Sequence, residues 1–123
     1  MIDLKFCHVT LAVKDMETSL RFYQDVAGLA IKRRFPAGPD MEITFLGNGE
    51  TEVELICNKA NSYTGQVGNG VSLGFVTPSL EDTIALLREK GYETDGVIES
   101  PSPNVRYFFA YDPDGYRVQF VQS

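Results

Sequence analysis

The sequence predicts an α+β fold built from two copies of one βαβββ module. Three observations carry this. Between Phe6 and Leu29 an alternating stretch gives way to one with apolar residues three and four apart. The same change of period recurs between Val71 and Gly91. Each helix-like stretch is then followed by three alternating segments, punctuated by Gly, Pro, Asn and Asp.

The first stretch, FCHVTLAVKDMETSLRFYQDVAGL, shows the pattern most plainly. Phe6, His8, Thr10 and Ala12 share one face of a strand, and Cys7, Val9, Leu11 and Val13 share the other. Met16, Leu20, Tyr23 and Ala27 then line one side of a helix. Asp15 is placed to cap it, because its carboxylate can accept an otherwise unpaired backbone N–H. Gly28 can take the left-handed backbone that ends it. The apolar strand face packs on the helix, so His8, the one histidine of the chain, looks the other way.

Ala30 to Phe35 reads as a strand with a basic middle, Lys32-Arg33-Arg34, and Pro36 to Asp40 breaks it. Met41 to Leu46 alternates Met41, Ile43 and Phe45 against Glu42 and Thr44. Asn48-Gly49 is a hairpin signal. In Thr51 to Cys57, Glu52, Glu54 and Ile56 oppose Val53, Leu55 and Cys57. Both cysteines are thereby expected as small buried hydrophobes facing the helix. Residues 59–69 are polar and glycine-rich and read as a linker.

The pattern then restarts. Val71 to Val76 is a strand, Ser79 caps a helix striped by Leu80, Ile84 and Leu87, and Gly91 ends it. Val97 to Ser100, Val105 to Tyr111 and Tyr116 to Val121 are strands, with Pro101-Ser-Pro103 and Asp112-Pro-Asp-Gly115 as turns. His8 aligns with Val71, Met16-Glu17 with Leu80-Glu81, and Val53-Glu54-Leu55 with Val118-Gln119-Phe120, at separations of 63, 64 and 65 residues. The expected architecture is one domain over residues 1–123, with module 1–58, linker 59–69 and module 70–123. Each module has one sheet face covered by its helix. The uncovered faces are expected to form a curved mixed sheet around a cleft walled by His8, Thr10, Ala12, Glu52, Glu54, Val71, Leu73, Phe75, Arg117 and Gln119.

Composition narrows the function classes. With 123 residues, 43% hydrophobic and 23% charged, the chain suits one globular core. A net charge of -6 argues against nucleic acid or an anionic membrane as partner. No apolar run approaches the roughly 20 residues of a membrane helix, and the N-terminus MIDLKF lacks a secretory pattern, so a cytoplasmic location is expected. There is no phosphate loop, nucleophile elbow or zinc-type cysteine cluster.

Taken together, the paired modules, HVTLAVKDMETSLRFYQDVAGL, ELICN and YDPDGYRVQF resemble the vicinal oxygen chelate superfamily, which includes glyoxalase I, bleomycin-resistance proteins, extradiol dioxygenases and fosfomycin-resistance enzymes. The resemblance spans nearly the whole chain. It implies four metal-ligand positions, which fall on His8, Glu54, Val71 and Gln119. Valine offers no lone pair, so the implied ligand set is His8, Glu54 and Gln119. With one neutral donor among three, occupancy by a divalent ion (nickel, zinc or manganese) would be low, and no metal at all is the competing expectation. In a glyoxalase-I-like lyase Glu54 would be the catalytic base. Ala12 stands where such enzymes often carry an arginine, which argues against glutathione, whereas Asn58 matches the family's ELxxN ending. Thr10, Asn58, Val71, Leu73, Phe75 and Arg117 are the expected ligand-binding residues. The alternative is a metal-free protein that binds or sequesters a small molecule, of the bleomycin-resistance type. The resemblance also implies a homodimer.

Overall fold

The computed structural model describes residues 2–49, 51–60, 70–100 and 105–122. Most of the expected linker and the Pro101-Ser-Pro103 turn lie outside the described residues. The chain divides into two compact units, Met1–Gly65 and Gln66–Ser123.

Unit 1 runs β1 (His8–Ala12), α1 (Met16–Asp25), β2 (Ile31–Pro36), β3 (Met41–Leu46) and β4 (Glu52–Asn58). Its sheet order is β1-β4-β3-β2, with β1 parallel to β4 and the other pairs antiparallel. Unit 2 repeats the plan with β5 (Ser72–Thr77), α2 (Leu80–Glu89), β6 (Ile98–Ser100), β7 (Val105–Tyr111) and β8 (Arg117–Gln122), ordered β5-β8-β7-β6. The α+β fold of two βαβββ modules is therefore observed.

Local chemistry explains the helix ends. The Asp15 carboxylate accepts the Thr18 backbone N–H at 3.0 Å, and the Ser79 hydroxyl accepts that of Asp82 at 3.1 Å. Gly91, at φ 85°, closes α2, with Tyr92 N–H donating to Leu87 O and Gly91 N–H to Arg88 O. That pairing satisfies carbonyls which the helix itself leaves open. Each helix buries its stripe on its own sheet, α1 against β4 and α2 against β8. Leu20, Phe22, Tyr23, Leu46 and Leu55 are buried in unit 1, and Leu80, Leu87, Phe108, Val118 and Phe120 in unit 2. A fully buried Leu or Phe contributes about 1.5–3 kcal/mol relative to exposure.

The turn before β8 is fixed by Asp112, whose Oδ1 accepts the backbone N–H groups of Asp114 and Tyr116 at 2.9 and 2.8 Å. Gly115, at φ 94°, completes it. The DPDGY stretch thus sets the register that decides where Arg117 and Gln119 point.

Two expectations are corrected. The first concerns the strand that opens unit 2. Thr10 pairs with Glu54 and Gly74 with Gln119, while His8 pairs with Glu52 and Ser72 with Arg117. The residue corresponding to His8 is therefore Ser72, not Val71. Leu73 and Phe75 pair with Val118 and Phe120 on the helix-covered face, where Phe75 stacks on Phe120 at 5.9 Å and Phe120 on Phe108 at 5.3 Å. They are half-buried on the helix-covered side of unit 2 rather than on its uncovered face. The physical cause is register: Ser72 stands 64 residues after His8, as Leu80 stands 64 after Met16, so an alignment at 63 is off by one residue, and a one-residue slip moves every side chain to the opposite face. Val71 precedes the strand and is exposed. The second correction is Cys7, which is exposed while Cys57 is buried, because β1 begins only at His8 and the alternation does not reach back to residue 7.

Candidate functional site

The uncovered face of the unit 1 sheet is assembled from alternate residues of its four strands. β1 supplies His8, Thr10 and Ala12, and β4 supplies Glu52, Glu54, Ile56 and Asn58. Through the antiparallel register, β3 adds Met41, Ile43 and Phe45, and β2 adds Arg33 and Phe35.

Glu54 is the focus of this face. Its Oε1 accepts the Thr10 hydroxyl at 2.5 Å and lies 3.5 Å from His8 Nε2. The Glu54 side chain is 13% exposed and that of His8 38%, so the carboxylate is sheltered and the imidazole open. The other ring nitrogen, Nδ1, is 3.3 Å from Cys7 Sγ. If Nδ1–H donates to sulfur, Nε2 keeps its lone pair towards Glu54; if the thiol donates, Nε2–H donates to the carboxylate. Phe45 meets the His8 ring edge-on at 5.5 Å and stacks on Phe35 at 6.3 Å. The apolar wall expected from Val71, Leu73 and Phe75 is thus supplied in unit 1 by Phe35, Ile43 and Phe45. The alternation of MEITFL contains that signal; what it lacks is which face the apolar set takes.

The basic run is neutralised locally. Arg33 forks onto Glu52 at 2.9 and 3.3 Å, with its guanidinium 4.1 Å over the Phe45 ring. Arg34 bonds Glu17 at 2.5 Å and Glu42 at 3.0 Å, and these carboxylates raise its pKa above the usual guanidinium range. Asn58 Oδ1 accepts the Ala60 N–H at 3.1 Å, a bond that ties off the end of β4. A cleft of about 340 Å³ in unit 1 lies beside the start of α1, lined by residues such as Lys14, Met16, Arg34, Met41 and Cys57; it does not include His8 or Glu54.

The uncovered face of the unit 2 sheet carries Ser72, Gly74 and Val76 from β5, Arg117, Gln119 and Val121 from β8, and Tyr107, Phe109 and Tyr111 from β7. A methyl group at Gly74 would sit 3.8 Å from Gln119 Oε1, so the amide lies beside Gly74 as Glu54 lies beside Thr10. Arg117 holds its guanidinium 4.3 Å over Phe109.

A divalent ion can be tested against these donors. Two ligands about 2.1 Å from a tetrahedral ion stand about 3.4 Å apart. The 3.5 Å between His8 Nε2 and Glu54 Oε1 fits such a pair. The counterparts of the two in unit 2 are Ser72 and Gln119, a hydroxyl and an amide. Among the described residues no cluster of three or more His, Cys, Asp or Glu side chains is placed to hold an ion.

Comparison with known proteins defines the class. A family model for the Glyoxalase/Bleomycin resistance protein/Dioxygenase superfamily matches residues 5–120. The chain belongs to this superfamily, that of the vicinal oxygen chelate fold. It is 30% identical over 126 residues to a Synechocystis protein named "Probable lactoylglutathione lyase", covering 94% of this chain and 93% of that one. A lactoylglutathione lyase of Neisseria meningitidis is 28% identical, covering 98% and 91%. Among solved structures, Leishmania major glyoxalase I superposes with a TM-score of 0.81 at 22% identity, covering 98% of this chain and 87% of that one. TnmS3, an antibiotic binding protein from Streptomyces, superposes at 0.76 and 20% identity, covering 99% and 98%. Enzymes and a binding protein thus share this fold.

Proposed function

We propose that the chain is a glyoxalase-I-like lyase or isomerase acting on a small carbonyl compound, with Glu54 as its base. The observation that carries this is the oriented Glu54 carboxylate, fixed by Thr10 and beside His8 on an uncovered sheet face. The relatives named lactoylglutathione lyase support the same reading.

His8 and Glu54 would hold the divalent ion, and a bound ion would supply Lewis-acid stabilisation of negative charge building on a substrate oxygen. Glu54 removes a proton from the carbon next to a carbonyl and returns it to the neighbouring carbon. The Thr10 hydroxyl keeps the carboxylate in one rotamer, so its free oxygen is aimed before substrate arrives. Phe45 and Phe35 give the face an apolar side that limits water around the transferred proton. A homodimer and a cytoplasmic location belong to the same proposal; no helix among the described residues is long and apolar enough to cross a membrane.

A second reading, a metal-free small-molecule binder, is favoured by one observation: Ser72 and Gln119 stand where the repeat would place the counterparts of His8 and Glu54. In it, His8, Thr10 and Glu54 form a hydrogen-bonded polar group that orients ligand.

Elemental analysis separates the two. Protein purified without a metal-affinity tag is soaked in nickel, zinc or manganese and desalted, then assayed with methylglyoxal and several thiols. Near-stoichiometric retention that is lost in Glu54→Gln and His8→Ala, with turnover lost in parallel, is the expected result. Retention of no ion by the wild type would remove the metal-dependent lyase and leave the binder.

A further inference from the structure

Through the repeat, Glu52 on β4 corresponds to Arg117 on β8, and Phe45 on β3 to Phe109 on β7. The same place on the two sheets therefore carries opposite charge. In unit 1 the cation over the aromatic ring is Arg33, and Glu52 neutralises it through two hydrogen bonds. In unit 2 the cation over the ring is Arg117 itself. Among the described residues no carboxylate pairs with it, and its Nε is buried with no hydrogen-bond partner. Arg33, Arg34 and Arg106 all have carboxylate partners.

Leaving a partly buried guanidinium without an acceptor is costly, so its terminal N–H groups, which are not buried, are ones that a ligand would satisfy. The residues beside it on β5 and β8 are neutral: Ser72, Gly74 and Gln119. Among the described residues, Asp95 accepts the Tyr111 hydroxyl at 2.7 Å and makes no ion pair with Arg117. We propose that Arg117 is an anion-recognition residue that receives a carboxylate of a small ligand on the uncovered face of unit 2. Stacking on Phe109 fixes the guanidinium plane. The two terminal nitrogens present a fork that matches the two oxygens of a planar carboxylate. With a net charge of -6, the chain repels anions overall, so capture of one depends on a local unpaired cation. The inference names the charge of the ligand in the small-molecule reading. It rests on that reading only in taking this sheet face as ligand-facing.

The test involves neither metal nor turnover, so failure of the lyase proposal and failure of this one are distinguishable. The arginine Nε–Hε resonances of the full chain are followed by NMR during titration with benzoate, benzamide and inorganic phosphate. Benzoate should shift the Arg117 Nε–H saturably at millimolar concentration, with benzamide at least about tenfold weaker. Arg117→Gln should weaken benzoate by about tenfold or more and Arg117→Lys by less, both with otherwise native spectra, while Arg33→Gln should change it by less than about twofold. Equal binding of benzoate and benzamide, unchanged benzoate affinity in Arg117→Gln, or no benzoate binding up to about 100 mM would each overturn the proposal. Saturation by phosphate but not by benzoate would overturn the carboxylate assignment.

Discussion

The Thr10 hydroxyl donates to the Glu54 oxygen that faces His8, at 2.5 Å. Thr10 sits directly opposite Glu54 in the parallel β1–β4 pair, so the bond follows from sheet register. It makes Thr10 a positioning residue for the carboxylate. Partners of this kind typically alter metal affinity 10- to 100-fold when removed. Thr10→Val should therefore weaken nickel binding, measured by calorimetry, by about tenfold or more, and Thr10→Ser should largely preserve it. Equal affinities in all three proteins would deny Thr10 that role.

Register also makes a prediction within unit 2. Ser72 and Gln119 stand in the relation of His8 and Glu54. The double variant Ser72→His, Gln119→Glu, made in a His8→Ala background, should regain nickel affinity. Val71→His with Gln119→Glu should not, because residue 71 lies outside the strand. Equal recovery in both variants would restore Val71 as the counterpart of His8.

Thr44 is fully buried on the helix-covered face of β3, and among the described residues its hydroxyl has no hydrogen-bond partner. Valine has nearly the same shape without the polar atom. Thr44→Val should stabilise the protein by about 1 kcal/mol, read as a higher denaturant midpoint with unchanged slope. A fall in midpoint would mean that the hydroxyl is satisfied in solution.

Asp15 ties acid stability to the start of α1. Hydrogen bonds from the Thr18 side chain and backbone hold its pKa below the ordinary carboxylate value of 3.8. A depressed folded-state pKa gives stability that is present above the unfolded value and is lost as pH falls through the folded one. Asp15→Asn keeps an acceptor at the cap but does not titrate. The melting-temperature advantage of wild type over Asp15→Asn should be constant near neutrality and shrink below about pH 3.8. An advantage that persists at pH 2 would place the effect elsewhere.

Much of this protein was legible in one dimension. The two changes of period, the caps at Asp15 and Ser79, the terminating Gly91 and the Asx turn at Asp112 are local events governed by neighbouring residues, so the sequence determined the element order and the repeat. It also marked His8 and Glu54 through their faces. Tertiary structure decided what depends on pairing between distant strands. Alternation divides residues into two sets but does not say which set the helix covers, and a one-residue difference in alignment between the two modules exchanges them. That is why Phe75 faces the helix-covered side, Ser72 takes the place expected of Val71, and Phe45 borders the site. Charge behaves in the same way. The sequence lists Arg33, Arg34, Arg106 and Arg117 alike, and only the folded sheets show that three meet carboxylates while the fourth lies over Phe109 with its inner N–H unanswered.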